Sequence, residues 1–175
     1  MSLSPYPITL SGNNGFNFLT DSGHTYFVYF DGSSQIFPDE RVNKLTYYFG
    51  FTCTPALKML ERNYDPRVGT TIMLIIANFL ANNPKAILAY MCSALDQQDR
   101  HRNISFGKWY STSILKDKFE LLKSKLEDTY CGVIYDKKHP KIEIIEEAFL
   151  SFTFDKLDSV EENAEPYFFE DEEAE

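Results

Sequence analysis

The run Ile72-Met73-Leu74-Ile75-Ile76-Ala77-Asn78-Phe79-Leu80 constrains this chain more than any other segment. It reads as a helix that is apolar around most of its circumference rather than along one stripe. Such a helix cannot lie on a surface with one side in water, so it must be packed on two sides. Asp65 is a good N-cap for it, and Pro66 suits the first helical position, where no backbone N–H is needed. It ends near Asn82-Asn83-Pro84, because asparagine tolerates left-handed geometry and proline cannot continue a helix. A start of this kind leaves amide donors around Arg67, Val68 and Gly69, and such an end can hold an anion. A well-capped core helix that binds nothing explains the same residues.

Before this helix the chain is rich in strand formers broken by turn residues. Pro7–Leu10, Phe16–Thr20 and Thr25–Phe30 are separated by Ser11-Gly12-Asn13-Asn14-Gly15 and by Asp21-Ser22-Gly23, a pattern of antiparallel hairpins. A further strand over Leu45–Thr52 places Tyr47, Phe49 and Phe51 on one face. Pro55 and the polar stretch Lys58–Asn63 suggest a connecting loop. After the helix, Ala86-Ile87-Leu88-Ala89-Tyr90-Met91-Cys92 is nearly continuously apolar and suits a central strand. Gln97–Tyr110 reads as a helix, although Gly107 is a poor helix former. Phe119–Leu126 and Tyr130–Tyr135 pair as two strands across Glu127-Asp128-Thr129, and Phe119–Leu126 is also compatible with a helix on propensity. Beyond His139-Pro140, Ile142, Ile145, Phe149 and Phe152 fall on one face of a last helix of about four turns.

A length of 175 residues suits one domain. The net charge of −9 is uneven: residues 155–175 hold ten acids and one lysine, and the remainder carries sixteen charges of each sign. A neutral body over residues 1–157 is thus followed by an acidic tail over residues 158–175, expected to be disordered when alone. A generally basic nucleic-acid binder is excluded. Cys53, Cys92 and Cys131 are odd in number, widely separated and without a CxxC pair, which fits a reduced, cytoplasmic setting. No signal peptide or membrane span is visible, since the longest apolar run is too short to cross a bilayer.

The order of several antiparallel strands, a capped helix with an early glycine, a central strand, a second helix and a final strand pair resembles the later part of the acyl-CoA N-acetyltransferase (GNAT) fold. The resemblance covers roughly residues 45–136. In that family the turn after the fourth strand gives backbone amides to the cofactor pyrophosphate, usually through Q/R-x-x-G-x-G/A. Gly69, with Ile72 after it, matches the end of that pattern; Tyr64 stands at its first position and Arg67 at its first glycine. The resemblance implies acetyl-CoA as cofactor, with Arg67, Val68, Gly69 and Thr70 at the phosphate. The run from Tyr64 through Asn83-Pro84 to Trp109 is also similar to a family of small bacterial proteins of unknown function.

Acetyl transfer needs a group to take a proton from the attacking amine and often a phenol to protonate the leaving thiolate. Tyr110, after the second helix, is the candidate phenol; Glu61 and Asp65 are candidate bases. His24, His101 and His139 form no constellation, and no metal-ligand spacing or Ser/His/Asp pattern is present. Between residues 100 and 126, seven Lys and Arg face two acids, a net charge of +5. The acidic tail carries Tyr167, Phe168 and Phe169, three aromatics suited to an apolar groove with a basic rim, either the 100–126 segment of the same chain or a separate protein partner.

The expectation is therefore one α+β domain, with a mostly antiparallel mixed sheet, about three helices and an acidic tail. Two functional readings follow. One is a non-enzymatic interaction or regulatory protein, antitoxin- or immunity-like, binding a protein partner through Tyr167, Phe168 and Phe169. The alternative is an acyl-CoA-binding GNAT-like acetyltransferase, either active or catalytically degenerate.

Overall fold

The computed structural model describes residues 3–12, 15–55, 65–92, 99–126 and 129–161. Its elements are β1 (Thr9–Ser11), β2 (Gly15–Leu19), β3 (Thr25–Asp31), α1 (Glu40–Asn43), β4 (Thr46–Thr54), α2 (Pro66–Asn82), β5 (Ile87–Cys92), α3 (Asp99–Thr112), α4 (Leu115–Lys118), β6 (Phe119–Leu126), β7 (Thr129–Asp136) and α5 (Ile142–Glu161). The fold is α+β, as expected. To the three expected helices it adds α1 and α4, each a single turn and too short to leave a periodic signature.

The seven strands form one sheet in the order β1-β2-β3-β4-β5-β7-β6. Every neighbouring pair is antiparallel except β4–β5. The exception follows from α2: parallel neighbours need a crossover, and the buried helix between them supplies it. The ambiguous segment Phe119–Leu126 is a strand. Its backbone pairs with β7 over its whole length, from Phe119 against Asp136 to Leu126 against Thr129, and this long-range pairing overrides the helical preference of its Leu, Lys and Glu residues.

The sheet is packed on both faces. On one face Phe18, Val28, Phe30, Phe49 and Leu88 meet Ile72, Ile75, Ile76 and Leu80 of α2 and Phe106 of α3. On the other, Ile87, Ala89, Val133 and Tyr135 meet Val42 of α1 and Ile145, Ala148 and Phe149 of α5. Strand β5 therefore contributes to both cores, which is why its sequence does not alternate. The second core draws no described residue from β1, β2 or β3. On that side these strands carry half-buried or exposed side chains, among them Phe27, Tyr29 and Leu19.

Ile75 and Ile76 are 1% and 0% exposed. Replacing either with alanine removes transfer energy and leaves a cavity, so each change should cost about 2–5 kcal/mol in denaturant unfolding. Values near zero at both positions would mean that α2 is not the centre of the core.

Candidate functional site

Strands β4 and β5 pair over three residues only, with Thr46, Tyr47 and Tyr48 opposite Ile87, Leu88 and Ala89. Beyond that point β4 stays bonded to β3 as far as Thr54, and β5 stays bonded to β7 as far as Cys92. The two strands run on without pairing to each other. Phe106 of α3 packs against both of them, its ring 5.8 Å from that of Phe49 on β4 and 4.6 Å from that of Tyr90 on β5. The result is a cleft of about 350 Å³. Tyr29, Tyr48, Phe49, Gly50 and Phe51 line one wall, Tyr90, Met91 and Cys92 the other, and Arg102 and Phe106 complete it from α3. Strand residues alternate between faces, so this lining comes from both sides of the sheet.

The cleft is rich in aromatic rings. Burial pushes the Tyr48 phenol above its ordinary range, and pushes Tyr90 much further. Both stay protonated at neutral pH. The Tyr90 hydroxyl lies across Gly132 of β7, where a Cβ would stand 2.6 Å from it. The Cys131 thiol on the adjoining strand is raised by burial to about 11 and is no thiolate nucleophile.

The α2 N-terminus carries Arg67, Val68, Gly69 and Thr70 on its first turns, as the sequence requires. Asp65 caps it. One carboxylate oxygen accepts the Arg67 N–H at 2.9 Å, the other accepts the Tyr6 hydroxyl at 2.6 Å, and the Val68 N–H donates to the Asp65 carbonyl at 3.2 Å. The Arg67 guanidinium lies 3.8 Å over the Tyr6 ring, pairs with Asp21 at 2.7 Å and donates to the Ser4 carbonyl at 3.0 Å. The Tyr6 N–H donates to the Thr71 hydroxyl at 2.9 Å. A short N-terminal strap thus crosses the helix start, and the Thr70 hydroxyl turns back to the Pro66 carbonyl at 3.2 Å. Gly69 is where α2 and α3 cross: a Cβ there would stand 2.3 Å from the Trp109 ring.

Tyr110 is not part of the cleft lining. Its hydroxyl donates to the Phe119 carbonyl at 2.6 Å, fixing the end of α3 to the start of β6. Of the candidate bases, Asp65 is the cap just described, and Glu61 lies outside the described residues, as do Tyr167, Phe168 and Phe169. His139 is buried; its Nδ1 accepts the Lys141 N–H at 3.1 Å, so its Nε2 donates to the Lys85 carbonyl at 3.2 Å, a bracing role. The basic segment is divided among separate partners. Lys118 faces Asp136 at 3.8 Å, Lys123 reaches the Asn103 carbonyl at 3.5 Å, Lys125 sits 5.6 Å over the Tyr130 ring, and Arg102 reaches the cleft. Among the described residues no group of three His, Cys, Asp or Glu could hold a metal ion, and no helix is long and apolar enough to cross a membrane.

Residues 64–151, which contain α2 and the β5–α3 side of the cleft, match a family of unknown function designated DUF6169. The chain belongs to that family. No curated protein and no solved structure matches it. The DUF6169 segment takes in α2, β5, α3, α4, β6, β7 and the first half of α5, and the other wall of the cleft comes from β3 and β4, ahead of it.

An alanine in place of a helical glycine ordinarily stabilises by about 0.8–1 kcal/mol. Gly69→Ala should instead lower the melting temperature, because the added methyl meets the Trp109 ring. Combining it with Trp109→Ala should recover part of the loss. A stabilising Gly69→Ala, or strictly additive losses in the double-mutant cycle, would place Trp109 away from this crossing.

Proposed function

We propose that the β4–β5 cleft receives the extended arm of an acyl thioester, and that the protein is an acyl-CoA-binding protein of the N-acyltransferase type with an altered phosphate end. The observation that carries this reading is the parting of the one parallel pair. Past Tyr48 and Ala89, the facing edges of β4 and β5 present backbone N–H and C=O groups that the other strand does not satisfy. An extended chain bearing amides, such as a pantetheine arm, fits such a gap as a missing strand would. A space of about 350 Å³ lies within the range of small-molecule sites. The order of elements resembling the N-acetyltransferases supports the same reading.

In this reading an amine attacks the thioester carbonyl, and the departing thiolate needs a proton. Tyr48, whose phenol burial pushes above its ordinary range, gives that proton as the C–S bond breaks and takes back the one the amine nitrogen sheds as the amide forms. Arg67, Val68, Gly69 and Thr70 lie at the phosphate end. There the Asp65 carboxylate already holds the Arg67 amide, so a diphosphate meets a negative charge as well as a helix start. The arm then supplies more of the affinity than the phosphates do. The interaction reading, with Tyr167, Phe168 and Phe169 binding a protein partner, concerns residues outside those described, and the cleft carries the conclusion instead.

Thermal shift with acetyl-CoA and with pantetheine tests this. A ligand at about a hundred times its Kd stabilises by about 2.7 kcal/mol, which for a chain of this size raises Tm by roughly 5–10 °C. Both compounds should produce such a shift. Asp65→Ser keeps a capping oxygen and removes the charge, so it should enlarge the shift with acetyl-CoA and leave that with pantetheine unchanged. No shift with either compound at millimolar concentration, on folded protein, would overturn the proposal.

A further inference from the structure

The sheet face opposite α2 and α3 carries an aromatic strip that leads into the cleft. Phe27 and Tyr29 of β3 and Tyr48 of β4 are all half-buried, and the second core covers neither Phe27 nor Tyr29. Their rings follow one another, with centroids 5.8 Å apart from Phe27 to Tyr29 and 6.4 Å apart from Tyr29 to Tyr48. Tyr29 and Tyr48 are also cleft-lining residues, so the strip and the cavity are continuous.

Two glycines let these rings lie across the neighbouring strands. A Cβ on Gly50 would stand 2.4 Å from the Tyr29 hydroxyl, and one on Gly15 would stand 2.6 Å from the Phe27 ring. Any side chain at either position would lift its ring from the sheet. Both rings keep part of their surface exposed, so the strip is open to an aromatic ligand rather than closed as a packed core. At the closed end of the gap, Asp31 is the cross-strand partner of Tyr48. Its carboxylate accepts from the Ser33 N–H and hydroxyl and from the Ser34 hydroxyl, and these bonds hold it ionised. A negative charge thus stands beside electron-rich rings, and both attract an ammonium.

We infer that the strip Phe27–Tyr29–Tyr48, with Asp31 at its end, receives the acceptor of acyl transfer, and that this acceptor is an arylalkylamine, a primary amine on a short alkyl chain that ends in an aromatic ring. The inference rests on the acyl-CoA reading and adds to it the acceptor class and the side of entry. The thioester arm occupies the gap between β4 and β5, and the acceptor approaches over the part of that face which the second core leaves uncovered. Its ring stacks on Phe27 and Tyr29, and its nitrogen, drawn in as an ammonium, gives one proton to water and points into the cleft as the free amine.

Isothermal titration of the full chain, saturated with CoA as a non-reacting occupant, tests this with phenethylamine, tryptamine and n-butylamine. The two arylalkylamines should bind at least tenfold more tightly than n-butylamine, a difference of about 1.4 kcal/mol. In Tyr29→Leu, and in Gly50→Val, which displaces the Tyr29 ring, the ratio should fall towards one, with a melting curve confirming the fold. Equal binding of the three amines by the wild type overturns the inference without recourse to any variant. So does a ratio that survives in folded Tyr29→Leu. Discrimination among the amines by a protein that binds neither acetyl-CoA nor pantetheine would overturn the acyl-CoA reading and keep the aromatic site. CoA binding without discrimination would overturn the aromatic site alone.

Discussion

Burial of α2 is the interaction on which the rest of the structure depends. Nine of its residues are enclosed, from Val68 to Leu80, so the helix must lie between the sheet and further layers of chain. Placing it there makes β4 and β5 neighbours that run the same way, in a sheet otherwise built from antiparallel pairs. The hairpins before β4 and the β6–β7 pair after β5 then extend the sheet on either side. Fully burying each of Ile72, Ile75, Ile76 and Leu80 contributes about 1.5–3 kcal/mol. Among the described elements, α2 gives the most side chains to the core on its face of the sheet.

That arrangement also creates the cleft. A parallel pair held by three residues on each strand has little to keep it closed beyond Tyr48 and Ala89, and Phe106 packs on both strands where they part. The start of α2 is itself committed. Asp65 holds the first amide, Tyr6 closes over Asp65 and Arg67, and Trp109 fills the space that Gly69 leaves. The cleft is open where an apolar or amide-bearing arm would lie, and polar contacts within the chain occupy the end where phosphate would lie. In the acyl-CoA reading proposed above, that contrast puts more of the affinity on the arm than on the phosphates.

Much of the fold was legible in local sequence. Asp65-Pro66 and Asn82-Asn83-Pro84 mark α2 because capping chemistry is local, and the unbroken apolar run of β5 reports burial on both faces. The spacing of Ile142, Ile145, Phe149 and Phe152 similarly reports the buried face of α5. Long-range contacts were not legible. Gly69 has the spacing of a phosphate-binding glycine, yet its neighbour is Trp109, forty residues away, and no local pattern encodes that crossing. Tyr110 has a plausible position for an acid, but its hydrogen bond to Phe119 depends on how α3 meets β6. The cleft residues Tyr29, Tyr48, Met91 and Phe106 come from four elements, and the parting of β4 from β5 has no sequence signature of its own.

Amide hydrogen exchange on the full chain, with and without acetyl-CoA, tests the central claim most directly, because it reads the facing edges of β4 and β5 residue by residue. Slowed exchange concentrated at Phe49–Thr54 and Tyr90–Cys92 is the predicted result: those edges gain partners only when an extended arm lies between them. Unchanged exchange at both edges under saturating acetyl-CoA, or protection confined to other parts of the sheet, would contradict the account.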